Sequence, residues 1–318
     1  MIKVLKEESG RRLRYAPYRG IKELREVVAD LHGVSVGEVA VVPGAKAAVA
    51  ALTHAARRVG VVTPHWQGYV AAAKLFGRGI EFLEARPEAR WLPEFEGLGD
   101  VDTLIVNYPN NPTGAVLTEP ALKELLNVIE DRGITLVSDE TYRDIVFEGD
   151  PLVMIDRRLE KTVSIYSFSK TFSLPGLRVG YVVGDPELVD VVAKFVAATY
   201  TSVPVFAQLA ALKALEVRDE VVKLVRDTYF RRARAFCNAL SRKRFDCIEP
   251  GGAIYVFVKI RTGVDGVELA RRLLREGVAV FPGAAFGERF RDYVRVSLTA
   301  PEDVLVRVAK LMEEVAEP

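Results

Sequence analysis

Between Val39 and Asp185 the chain alternates short aliphatic, β-branched runs with longer stretches in which apolar residues recur at helical spacing. The runs predict strands at Val39–Val42, Val59–Thr63, Gly79–Leu83, Thr103–Asn107, Thr135–Ser138, Val163–Ser167 and Gly180–Val183. The longer stretches predict helices at Ala45–Arg57, Tyr69–Phe76 and Glu119–Arg132, the last bounded by a Thr118 cap and by Gly133. Strands that are apolar throughout belong to a sheet covered on both faces, so the pattern predicts an α/β architecture. It is a mostly parallel seven-stranded sheet sandwiched by helices.

After Asp185 the rhythm changes. Helices are predicted at Pro186–Tyr200, Phe206–Glu216 and Asp219–Arg244. A strand (Ala253–Ile260), a helix (Val267–Glu276), two strands (Val278–Phe281 and Tyr293–Leu298) and a final helix (Pro301–Val315) follow. This divides the chain into a large domain over 16–218 and a smaller C-terminal α+β domain over 219–318, to which residues 1–15 are a candidate addition.

Composition narrows the function classes. A chain of 318 residues with 49% hydrophobic content can bury a large core, and a net charge of +1 argues against nucleic acid as a partner. The arginines between Arg226 and Arg244 alternate with apolar residues and read as a solvated helix face. The start lacks the apolar core of a signal peptide, and no uncharged apolar run reaches the roughly 20 residues of a membrane helix. Cys237 and Cys247 form no metal-ligand pattern and predict reduced thiols in a cytoplasmic setting. His32, His54 and His65 share no zinc spacing. Amides are scarce, with glutamine only at 67 and 208, which hints at a thermophilic source.

The candidate chemistry falls at strand ends, where open α/β sheets place their ligands. Ser167-Phe168-Ser169-Lys170 follows one strand, and a partly desolvated lysine there is a nucleophile toward aldehydes. Eight residues on, Arg178 is a fixed cation suited to phosphate. Alone, the motif also reads as a surface lysine on a polar turn. Asp139 closes another strand in Ser138-Asp139-Glu140-Thr141-Tyr142, where a buried carboxylate needs a cation such as a protonated pyridine nitrogen. A helix cap by Asp139 is the alternative. Tyr142 would reach a phenolate oxygen. Asn111 sits in the rigid loop Asn107-Tyr108-Pro109-Asn110-Asn111-Pro112-Thr113-Gly114 as an amide donor. Gly44-Ala45-Lys46 opens a helix whose first N–H groups suit a phosphate.

Taken in order, NNPTG, SDETY, SFSKTFSLPGLRVG and Tyr293-Val294-Arg295-Val296-Ser297 resemble the class I/II aminotransferases of the fold-type I pyridoxal 5'-phosphate enzymes, from Tyr15 to the last helix. The resemblance implies that Lys170 holds the cofactor as a Schiff base and then shuttles the proton. It implies that Asp139 pairs with the pyridinium, Tyr142 and Asn111 bond its phenolic oxygen, and Trp66 stacks on the ring. Ser167, Ser169, Arg178 and the amides of Gly44, Ala45 and Lys46 would hold the phosphate. Arg295 would clamp the substrate carboxylate, with Asn111 beside it, and Tyr15 would reach the phosphate of the partner in a homodimer. The implied activity is ping-pong exchange between an L-amino acid and a 2-oxo acid, with an aspartate, glutamate or aromatic donor. The segment ahead of Tyr15 is shorter than the family's usual arm, which leaves the substrate lid open. Histidinol-phosphate aminotransferase-like activity and a decarboxylase or lyase of the same fold remain as alternatives. A DNA-binding regulator of this fold would need a further N-terminal domain.

Overall fold

The computed structural model describes Lys6, residues 14–152 and residues 160–317. The seven aliphatic runs form one sheet from β1 (Val39–Val42), β2 (Arg58–Thr63), β3 (Gly79–Glu84), β4 (Thr103–Asn107), β5 (Thr135–Asp139), β6 (Thr162–Ser167) and β7 (Gly180–Gly184). Their order across the sheet is β1-β7-β6-β5-β4-β2-β3. The pairs β3·β2, β2·β4, β4·β5 and β5·β6 are parallel, whereas β7 runs antiparallel to both β6 and β1.

Helices pack on both faces. Lys22–His32 forms α1, and α2 (Ala45–Ala55) and α3 (Gln67–Leu75) follow. Next come α4 (Glu119–Arg132), the single turn α5 (Phe168–Thr171), α6 (Pro186–Tyr200) and α7 (Val205–Leu215). One face of the sheet, through Val42, Val61, Val163 and Val182, meets α2, α3 and α6. The other face, through Leu104 and Leu136, meets α4, and through Val39, Val41 and Val183 it meets α1 and α7. Thr118 caps α4 by accepting from Ala121 N at 3.4 Å, and Gly133 ends it at φ 61°.

The long helix α8 (Arg218–Ala239) leads to a second sheet of order β10-β11-β9-β8, built from β8 (Phe245–Cys247), β9 (Tyr255–Ile260), β10 (Phe281–Pro282) and β11 (Tyr293–Ser297). With α9 (Gly266–Arg275) and α10 (Glu302–Val315) it encloses a separate core around Phe236, Val256, Val294 and Met312. Three expectations are corrected here, and one helix appears that the pattern did not predict. The helix expected through Arg244 stops at Ala239, because Leu240 turns extended at ψ 138° and the chain re-enters as β8. The strand expected over Val278–Phe281 shrinks to Phe281–Pro282. The polar segment before Val39 holds an amphipathic helix, α1, whose Leu24 and Val28 face the sheet. The thiols are not free: Cys237 on α8 and Cys247 on β8 are joined in a disulfide, with Cα atoms 5.8 Å apart.

Candidate active site

Asp139, the last residue of β5, lies in register with Asn107, the last residue of β4. The Asn107 side chain therefore spans the crevice between two strand ends. Its Nδ2 donates to the Asp139 main-chain oxygen at 2.8 Å, and its Oδ1 accepts from the Asn111 amide at 2.9 Å. Asn111 is thus fixed to the strand that presents Asp139. Its own Oδ1 accepts from Arg295 Nη1 at 2.8 Å, linking the loop to β11 of the second sheet.

The Asp139 carboxylate is buried and carries three donors. Thr141 supplies its amide at 3.1 Å and its hydroxyl at 2.6 Å to Oδ1, and Tyr69 donates to Oδ2 at 2.7 Å. Burial pushes the Asp139 carboxyl above its ordinary range, while the Thr141 and Tyr69 hydrogen bonds and the Lys170 ammonium pull it down. No ion pair closes on it among the described residues, so a cation entering the cleft would relieve the burial.

Lys170 comes from α5. Ser167 ends β6 and caps this turn, its Oγ accepting from Ser169 N at 3.2 Å, while buried Phe168 anchors it from below. Lys170 Nζ lies 5.9 Å from the centre of the Tyr142 ring, and Tyr142 Oη is 3.1 Å from Tyr255 Oη. Burial raises the Tyr142 hydroxyl well above its ordinary value, so it remains a donor.

The phosphate-sized corner follows from sheet topology. Because β1 and β7 are antiparallel, with Val42 opposite Gly180, the residues after β1 meet those before β7. Gly44, at φ 83° and ψ 159°, is backed by Arg178, and a Cβ on it would lie 2.4 Å from Arg178 Nη2. The first turn of α2 opens beside that guanidinium. Arg178 is itself steadied by donating to the Pro175 carbonyl at 3.0 Å.

Arg295 is held between three aromatic faces, 4.1 Å from the centre of Tyr255, 4.6 Å from Phe281 and 4.9 Å from Phe286. Burial lowers its pKa, and its Nε has no hydrogen-bond partner among the described residues. Lys46 Nζ sits 5.4 Å from the Trp66 ring, which packs edge-on against Tyr69 at 5.3 Å.

These groups share one cleft of about 670 Å3. Every residue singled out from the sequence lines it except Gly44, which backs Arg178, and Tyr15, which lies elsewhere with 85% of its surface exposed. Sequence reasoning missed Asn107, Tyr69, Thr141 and Tyr255. Two of them carried a signal: Thr141 stands two residues after an aspartate, the spacing of a local side-chain turn, and Tyr69 stands one helical turn beyond Trp66.

A half-exposed lysine on a strand-end turn suits the aldehyde of pyridoxal phosphate, a buried carboxylate with no ion pair among the described residues suits its ring nitrogen, and a guanidinium beside a helix N-terminus suits its phosphate, while Arg295 suits the carboxylate of a substrate. Fold and cleft together are those of the fold-type I pyridoxal phosphate enzymes. The chain belongs to the aminotransferase class I and II family, whose model matches residues 1–311. The aspartate aminotransferase of Thermococcus kodakarensis is 42% identical over 90% of this chain and 76% of its own length. The aspartate/prephenate aminotransferase of Thermus thermophilus is 33% identical over 92% of this chain and 80% of its own. The solved structure of the Thermus thermophilus aspartate aminotransferase with maleate matches at a TM-score of 0.92 and 30% identity, covering 99% of this chain and 87% of that one. The protein is a pyridoxal-phosphate-dependent aminotransferase acting on amino and 2-oxo acids. No described helix is long and apolar enough to cross a membrane.

Proposed function

We propose that the amino donor is a dicarboxylic amino acid, aspartate or glutamate, bound between two cations. Lys46 is the observation that carries this reading. It is exposed and lines the same cleft as Arg295, with no carboxylate partner among the described residues, so the cleft holds a second cation available to a substrate side chain. The aspartate aminotransferases among the relatives support it.

Each wall then has a task. Arg295 grips the substrate α-carboxylate in a bidentate pair, held at its bearing by Asn111 Oδ1 and by the aromatic faces around it. Gly44, the amides of Ala45 and Lys46, the hydroxyls of Ser167 and Ser169, and Arg178 hold the cofactor phosphate. Trp66 would cover one face of the ring, Asp139 would meet its nitrogen, and Asn111 and Tyr142 would bond its phenolic oxygen. The bound cofactor supplies a carbonyl that takes the amino group and an electron sink for the α-carbon. Lys170 Nζ would hold the cofactor covalently and, once released, would take the proton from the substrate α-carbon and deliver it to the former aldehyde carbon, two bonds away.

We further propose that the enzyme works as a homodimer. The exposure of Tyr15 supports the dimer, since its ring is free to complete a neighbouring subunit's site. The test is a comparison of donors. Lys46→Ala should reduce kcat/KM for aspartate and glutamate by about tenfold to a hundredfold, the worth of one charged hydrogen bond, and leave alanine and phenylalanine nearly unchanged. Equal losses for all four donors would remove Lys46 from substrate recognition.

A further inference from the structure

Tyr69 has no role among those the family resemblance implies, yet it lines the cleft. It lies on the first turn of α3, three residues after Trp66, with its ring fixed edge-on against that indole and its hydroxyl 2.7 Å from Asp139 Oδ2. The ring is 2% exposed and packs among Val61, Ile105 and Val137, on the underside of the strand ends. The opposite oxygen, Oδ1, is taken up by Thr141 through both its amide and its hydroxyl. The carboxylate therefore cannot rotate without breaking a bond at one end or the other. Oδ1 accepts two hydrogen bonds and Oδ2 one, and the carboxylate lines the cleft.

We infer that Tyr69 is a positioning residue for the cofactor ring: its hydroxyl, opposed by Thr141, fixes the bearing and the ionised form of Asp139 toward the ring nitrogen. This rests on the reading that Asp139 meets that nitrogen. Three donors on a buried carboxylate favour its charged form. The Tyr69 hydroxyl is itself held protonated, because burial and the adjacent Asp139 charge both oppose its ionisation. The donor is consequently permanent, and the hydrogen bond has one polarity. Removing it frees the carboxylate to turn and leaves one oxygen buried without a partner, which makes Asp139 a poorer counter-charge for a pyridinium. The effect is confined to ligands that possess the ring nitrogen.

That restriction supplies the test. Apoprotein is titrated, by quenching of tryptophan fluorescence, with pyridoxal phosphate and with its 1-deaza analogue, in which the ring nitrogen is replaced by carbon. Tyr69→Phe keeps the ring and its contact with Trp66. It should weaken pyridoxal phosphate binding about tenfold, the worth of one hydrogen bond to a charged group, and the analogue by less than about twofold. Thr141→Val, which removes the hydroxyl and spares the amide, should show the same asymmetry to a smaller degree. Equal losses for both ligands in these variants would reduce Tyr69 and Thr141 to packing, and no loss for either would overturn the inference outright. Asp139→Asn separates the underlying reading from the inference. If that variant weakens both ligands equally, Asp139 does not meet the ring nitrogen.

Discussion

Gly44→Ala tests how the phosphate corner is built. Gly44 sits at φ 83° and ψ 159°, a region that residues with a Cβ enter at a cost of about 1–3 kcal/mol. The added methyl would lie 2.4 Å from Arg178 Nη2, whereas ordinary contacts begin near 3.4 Å. The guanidinium must therefore retreat by about 1 Å, enough to break a charged hydrogen bond to a phosphate oxygen. Such a bond is worth about 1.5–3 kcal/mol, so the dissociation constant for pyridoxal phosphate should rise roughly tenfold to a hundredfold. Pyridoxal without its phosphate should bind the variant and the parent protein alike. The assay is a fluorescence titration of apoprotein, run also in an Arg178→Ala background. If displacement of Arg178 is the cause, adding Gly44→Ala to Arg178→Ala should cost little more affinity. Full additivity of the two losses, or an unchanged dissociation constant for Gly44→Ala alone, would refute the account.

Other outcomes follow from the same structure. Arg295→Lys should lower kcat/KM by about tenfold or more for every donor, because a lysine gives no bidentate pair and loses the three aromatic contacts; steady-state kinetics across donors checks it. Reducing the Cys237–Cys247 disulfide, which closes a loop of 10-residue separation, should lower stability by about 3 kcal/mol, read as a fall in denaturant midpoint. His65 is buried and its pKa is depressed to about 4 by desolvation, below the ordinary 6.5. The unfolded chain therefore takes up a proton between those values that the folded chain refuses, and stability falls as pH drops from 6.5 toward 4. His65→Phe should flatten that part of the stability curve by up to about 3 kcal/mol, measured by urea unfolding at a series of pH values.

The large sheet could be read from the chain because its strands are covered on both faces and therefore announce themselves as uninterrupted aliphatic runs. The cleft could be read for a related reason: Asp139, Asn111, Ser167 and Lys170 each stand at or just beyond such a run, and parallel strands send those ends to one edge. What escaped depends on partners distant in sequence. Tyr69 is 70 positions from Asp139, and nothing in its own neighbourhood marks a hydroxyl that will be buried against a carboxylate. The disulfide escaped likewise, because a spacing of ten residues does not reveal that a helix end doubles back onto a short strand. The overrun of α8 has a local cause: Arg242, Lys243 and Arg244 suit an exposed helix as well as the turn they occupy.

The pairing of β1 with β7 also bears on how the protein comes to be assembled. Val42 and Gly180 are neighbours in the sheet, yet five strands lie between them along the chain. The two halves of the phosphate corner therefore meet only after the last-synthesised strand of the sheet inserts between β6 and the first. Pairing across so long a loop is slow, because chain entropy is lost before the contact returns any energy. With the cofactor phosphate seated there as proposed, pyridoxal phosphate can hold no partly built sheet together, because that corner exists only at the end. Capture of the cofactor by a refolding chain thus reports closure of the whole sheet, and a nascent chain released short of Gly184 has no phosphate site to offer.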